Sequence, residues 1–235
     1  MTRLPTGATE RSGHDVGRAV AWFPFVGAMV GLAVGATYLA ASEITEPLVA
    51  AALGVGVGAA VTGTFHEDGL GDVADGFGGG WTPERRLEIM RDSRLGTYGT
   101  VAIGLSLLVR VAALAALPAE TAVASTVVVH ALARTWPMLA LGLGRSARAA
   151  GLGSGLRPPA RRAPSWISAA ITLVLAVLLV GPAQAGLVTV VGVGACALTA
   201  ALAYRKIGGI TGDVLGAMEQ GAEALGLVAA GASRG

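Results

Sequence analysis

Apolar residues run through this chain in seven long blocks, near residues 19–42, 47–65, 97–117, 121–144, 166–184, 187–204 and 214–232, with shorter polar connections between them. Each block approaches the roughly 20 residues that a helix needs to cross about 30 Å of hydrocarbon. The pattern predicts an all-α, polytopic integral membrane helix bundle of six or seven spans. The last block is the weakest, because Glu219 and Glu223 lie one helical turn apart in it. It is expected either to span or to lie on or dip into the membrane.

The polar connections alternate in charge. Arg3, Arg11 and Arg18 precede the first block, and Arg85, Arg86, Arg91 and Arg94 follow the second. Arg145, Arg148, Arg157, Arg161 and Arg162 follow the fourth, and Arg205 and Lys206 the sixth. The connections at 42–47, 118–120 and 181–186 hold no basic residue. Short loops rich in Arg and Lys stay in the cytoplasm. The N-terminus and every second loop are therefore expected on the cytoplasmic face of a bacterial inner membrane.

Composition agrees: 53% of residues are hydrophobic, 14% are charged and mean hydropathy is +0.66, against roughly 25% charged in an ordinary soluble domain. A water-soluble globule is excluded. With 36 glycines and 5% aromatic residues, the apolar mass is of the small-residue kind that lets membrane helices approach closely. The formal charge is only +2, and the basic residues form no block that could track a nucleic acid. A lone Cys196 supports neither a disulfide framework nor a thiolate metal site. Residues 1–17 are polar and lack the apolar core of a cleavable signal. The chain reads as one domain, 1–235, with a polar cytoplasmic segment at 1–17, an acidic and glycine-rich segment at 66–96 and a basic loop at 145–165.

The densest chemistry lies in FHEDGLGDVADGFGGGW, residues 65–81. Asp68, Asp72 and Asp75 are spaced i, i+4, i+7, so on a helix they fall within about 60° of one another over roughly 10 Å of rise. Like charges at that spacing repel, and a divalent cation offsets them. Oxygen-only ligands favour Mg2+ or Mn2+, and Mg2+ in particular is held by one or two carboxylates together with water and substrate phosphates. The bland alternative is a solvated face whose aspartates cap neighbouring turns. The surrounding glycines, Gly69, Gly71, Gly76, Gly78, Gly79 and Gly80, are expected to let backbone N–H groups approach a phosphate. His66 and Glu67 stand just outside the stripe.

In WTPERRLEIMRDSRLGTYGT, residues 81–100, Thr82 and Pro83 predict the start of a short interfacial helix. Arginine suits phosphate oxygens, so Arg91 and Arg94, with Asp92 between them, are candidates for holding an anionic substrate. For Arg85 and Arg86 the favoured reading is topology and snorkelling. Arg110 and Arg134 fall inside spans, where ionisable groups are costly, and need acidic or phosphate partners; Arg134 joins the substrate-binding candidates. His130, one turn before it, reads more readily as a hydrogen-bonded structural residue than as a base. In KIGGITGDVLGAMEQGAE, residues 206–223, Asp213 opens a helix, either as its N-cap or as a further ligand. Gly27, Gly31 and Gly35 form a small-residue packing ridge.

These motifs, with FPFVGAMVG at 23–31, IMRDSRLGTYG at 89–99 and ALARTWP at 131–137, resemble the cobalamin synthase family, adenosylcobinamide-GDP ribazoletransferases. The resemblance covers nearly the whole chain. It implies a Mg2+-dependent reaction in which a ribose hydroxyl of α-ribazole, or of its 5′-phosphate, attacks the cobinamide-side phosphorus of adenosylcobinamide-GDP and GMP leaves. On that reading Asp68, Asp72 and Asp75 hold the metal, Asp75 alternatively accepting the attacking hydroxyl's proton. Glu67 aids metal or water positioning, and His66 supports it from behind. Arg91 and Arg94 take phosphates, and Asp213 adds a metal or ribose contact. Two other classes compete. A CDP-alcohol phosphotransferase would carry a DGxxAR motif followed by GxxxDxxxD, and DGLGDVAD lacks that arginine and the second aspartate pair. A cation transporter would place its carboxylates near the midplane between repeated halves, and no such symmetry is visible. Homo-oligomer formation is left open.

Overall fold

A computed structural model describes residues 20–147 and 163–232; the polar segment 1–17 and most of the basic loop lie outside the described residues. Among the described residues nine α-helices follow a 3-10 turn at Val20–Trp22. They are α1 (Phe23–Ser42), α2 (Pro47–Thr62), α3 (Phe65–Gly79), α4 (Pro83–Ile89), α5 (Thr97–Ala115), α6 (Ala119–Leu143), α7 (Ala163–Val180), α8 (Pro182–Ile207) and α9 (Gly212–Ala232). Every expected apolar block is helical. The short helix expected after the second block is α4, with the Arg85 amide donating to Thr82 Oγ1 at 3.3 Å.

Among the described residues four helices are long and apolar enough to cross a membrane: α1 with its leading turn, α5, α6 and α8. α2 and α3 pass that test together as a fifth unit, but they meet at 89°. This is fewer than the six or seven spans expected, for a local reason in each case. The apolar part of α7, Ser165–Val180, is short, and α9 carries Asp213, Glu219 and Glu223. Yet α9 is largely buried in the bundle. It packs against α3, α5, α6 and α8, and most of its residues, both glutamates included, are buried. The acids that weaken it as a lipid-facing span are what it turns toward its neighbours.

The small-residue ridge of α1 works as expected. A Cβ on Gly31 would stand 2.3 Å from the Thr126 carbonyl oxygen of α6, so only glycine allows these two backbones to touch. Val34, Tyr38, Leu114, Val129, Leu132 and Leu227 close the core around that contact.

The connections sort by end. On one, Tyr38 Oη donates to the Leu117 carbonyl at 3.0 Å, joining loops that hold no basic residue. On the other, Arg86 Nη1 donates to the Lys206 carbonyl at 2.9 Å and the Ile210 amide to the Arg145 carbonyl at 2.8 Å. The basic connections after the second, fourth and sixth blocks thus meet at a single end, in the alternation that their charges predict.

Candidate active site

The acidic segment sits at this basic end because the chain turns a corner. α2 closes on Gly63 with φ 67°, and Thr64 follows with φ 57°, alone among described non-glycine residues in the left-handed region. A β-branched residue is rarely found there. The corner sends α3 off across the end of the bundle rather than onward along α2. Glu67 and Asp68 fall in its first turn, where the helix dipole favours negative charge. At its far end Lys206 Nζ donates to the Phe77 carbonyl at 3.0 Å, satisfying one of the oxygens that a helix C-terminus leaves over. Arg86 Nε donates to the Gly80 carbonyl at 2.9 Å. Arg86 and Lys206 are therefore structural clamps on α3, and Arg85 is paired with Glu88 at 2.7 Å.

The helical stripe exists but divides. Asp68 is exposed and Asp72 half-buried, whereas Asp75 is buried. Asp75 Oδ2 accepts from the Gly96 amide at 2.7 Å and Oδ1 from the Gly99 amide at 2.9 Å. These N–H groups stand at the open start of α5, which has no internal partners for them. A Cβ on either glycine would come within 2.5 Å of an Asp75 carboxylate oxygen. Thus the GTYG turn receives a carboxylate of the protein itself. Asp75 thus differs from Asp68 and Asp72 in that each of its oxygens accepts from a backbone amide. Among the described residues no group of three or more His, Cys, Asp or Glu side chains is gathered to hold a metal. The pair Asp68 and Asp72, one turn apart, remains.

Beside that pair runs the start of α9. A Cβ on Gly69 would stand 2.9 Å from the Asp213 carbonyl and 3.3 Å from Gly216 Cα, so the two backbones touch where α3 crosses α9. Asp213 is half-buried. It does not act as the N-cap; Thr211 does, its Oγ1 accepting from the Val214 amide at 3.2 Å and donating to Asp213 Oδ2 at 3.3 Å. Glycines of this segment allow close packing, with Gly76 against Met90 and Gly78 against Tyr98.

Arg91 is exposed. Arg94 is exposed too but paired, its Nη2 donating to Asp92 Oδ2 at 2.6 Å. The guanidinium beside Asp92 holds that carboxyl at about 2, below the usual carboxylate range. Asp92 is thereby a partner for Arg94 in place of the direct substrate contact expected of it.

His66, Glu67 and Arg134 are not at the surface. They point into the bundle and join a buried ionic network. Arg110 donates from Nη2 to Glu67 Oε1 at 3.0 Å and from Nη1 to Glu223 Oε1 at 2.8 Å. Arg134 Nη1 lies 2.8 Å from Glu219 Oε1, and His66 Nδ1 lies 3.5 Å from Glu219 Oε2. His130 Nδ1 donates to the Thr126 carbonyl at 2.9 Å, the structural role expected of it, and its Nε2 lies 3.5 Å from Glu223 Oε1. Arg134 is 2% exposed and already neutralised, so the structure corrects its expected role as a substrate ligand. The partners that Arg110 and Arg134 require are glutamates of α3 and α9. The signal was present in the sequence: two arginines stranded in apolar blocks, and the Glu219, Glu223 pair that weakened the last one.

Comparison with known proteins gives this geometry its context. No solved structure matches the chain. It is 41% identical to an adenosylcobinamide-GDP ribazoletransferase of Bradyrhizobium diazoefficiens, over 99% of this chain and 90% of that protein. It is 40% identical to one of Ralstonia nicotianae, over 94% and 87%, and 41% identical to one of Azorhizobium caulinodans, over 92% and 86%. The sequence profile of the cobalamin-5-phosphate synthases matches residues 1–231, and the chain belongs to that family.

Proposed function

We propose that this chain transfers the phosphocobinamide group of adenosylcobinamide-GDP to α-ribazole or its 5′-phosphate, releasing GMP, at the cytoplasmic face of a bacterial inner membrane. One observation carries this reading. Asp68 and Asp72 stand one turn apart at the end of the bundle where the basic connections meet, in a chain related over nearly its whole length to proteins named for that transfer.

The donor set suits Mg2+, an ion commonly held by one or two carboxylates plus substrate phosphates and water. Asp68 and Asp72 are the residues that hold it. When bound, such an ion offsets the charge that builds on the diphosphate as the bond to GMP breaks. The remaining work falls to the chain. Arg91 and Arg94 attract and orient the diphosphate, and Asp213 receives the hydroxyl of the acceptor. Asp75 keeps the Gly96–Gly99 turn, and with it the Arg91–Arg94 segment, at a fixed place beside α3. The ribose hydroxyl oxygen forms the new bond to the cobinamide-side phosphorus, the bond to the GMP oxygen breaks, and the hydroxyl proton is lost.

The test is an assay in membranes containing the full chain, supplied with adenosylcobinamide-GDP and α-ribazole phosphate, with Mg2+ or with EDTA. GMP and a cobamide product that appear only with Mg2+ are expected. Product formation undiminished by EDTA overturns the metal assignment. Release of CMP from a CDP-alcohol, with no GMP from the corrinoid donor, overturns the substrate assignment.

A further inference from the structure

The buried network is where the chain keeps five of its charged side chains: Glu67, Arg110, Arg134, Glu219 and Glu223 are each 5% exposed or less. A set of this kind is a poor way to gain stability, because desolvating the charges costs about as much as their attraction returns, and in a lipid-embedded bundle the cost is higher. Its geometry indicates another use. Arg110 of α5 ties α3 to α9 through charge, with one nitrogen on Glu67 and the other on Glu223. Glu67 immediately precedes Asp68. The side chains of consecutive helical residues lie about 100° apart, so fixing Glu67 inward fixes Asp68 outward, and Asp72 with it.

We propose that the Glu67–Arg110–Glu223 bridge is a positioning device that sets the rotation of α3 about its axis and so aims Asp68 and Asp72 together. Glu67 is on this account a positioning residue and does not touch the metal or the substrate. Three contacts then hold α3 along its length: the Arg110 bridge at the first turn, the Gly69 crossing in the middle and Asp75 on the α5 amides near the end. The bridge has slack at a defined atom: Glu67 Oε2 and Arg110 Nε are buried without a hydrogen-bond partner among the described residues, beside a cavity of about 10 Å3, roughly the space of one water. Only one oxygen of Glu67 thus sets the rotation.

This inference rests on the assignment of Asp68 and Asp72 to a divalent cation, and its test separates the two. Mn2+ binding to the detergent-solubilised full chain is followed by electron paramagnetic resonance, without substrate and independently of turnover. Glu67→Ala is expected to weaken Mn2+ binding about tenfold and Glu67→Gln, which still accepts from Arg110, to restore it to within about threefold. Asp72→Asn, as the ligand control, is expected to abolish binding. If Glu67→Ala does not fold, Arg110→Lys carries the same test, because an ammonium lacks the rigid guanidinium fork that spans Glu67 and Glu223; weakening of about threefold is expected. Wild-type affinity in a folded Glu67→Ala or Arg110→Lys protein overturns the positioning role alone. A wild-type chain that binds no Mn2+ overturns the cation assignment and this inference with it.

Discussion

Glu67 and Asp68 are neighbours in sequence, yet the first is sealed into the bundle with Arg110 and the second stands exposed at its basic end. The same division runs through the molecule. Charges in the interior, Glu67, Glu219 and Glu223 against Arg110 and Arg134, pair with one another across four packed helices. Charges at the basic end, Asp68, Asp72, Arg91 and Arg94, are spread over a helix face and a surface turn. An ionisable group in an apolar setting is tolerated only with a partner at hand, so the interior set is already paired before any ligand arrives. Chemistry has to be done by the set that is not enclosed.

The largest expected effect comes from breaking the interior set. Arg134→Met leaves Glu219 without its cation and should cost about 3–5 kcal/mol in denaturant unfolding in detergent, with Glu219→Gln in the same chain recovering most of it. A near-neutral single change would mean that the interior charges are not mutually dependent. Next in size, Asp72→Asn should lower GMP release about a hundredfold or more; a rate within twofold of wild type removes Asp72 from the working set.

Asp75 sits on the boundary between the two regions, and changing it sharpens where that boundary runs. In Asp75→Asn one amide donor at the start of α5 faces an NH2 group, so stability should fall by about 1–3 kcal/mol and the rate by less than in Asp72→Asn. If Asp75→Asn instead matches Asp72→Asn in rate with unchanged stability, Asp75 belongs with the ligands. The smallest effect is expected at Asp92. Its folded pKa, about 2, is below the ordinary value of 3.8, so whatever the Arg94 pair contributes is present above the ordinary value and is lost only as pH falls toward about 2. Rate and unfolding midpoint measured from about pH 5 to about pH 9 should therefore carry no inflection from this pair.

Much of this was readable from the residues alone. The seven apolar blocks became helices, and the charge alternation of the loops foretold which connections meet. The i, i+4, i+7 spacing put three aspartates on a helix. What the spacing did not reveal was that Asp75 would meet the amides of a helix that begins some twenty residues later, because a helical wheel describes one helix and not what it packs against. For the same reason Arg110 and Arg134 announced a need for partners without naming them; Glu67 looked like part of the acidic motif, and only the crossing of α3 over α9 turns it inward. The right angle between α2 and α3 was hidden too. Apolar residues continue up to Phe65, and the break rests on the backbone of Gly63 and Thr64 alone.

That corner sets a strict length requirement. A residue inserted or deleted between Thr62 and Phe65 changes where α3 starts relative to α2, and with it the register of Glu67 against Arg110. The two-residue hinge is therefore as much a part of the catalytic design as the carboxylates it delivers, and shortening or lengthening it should be less forgiving than most single substitutions in the motif.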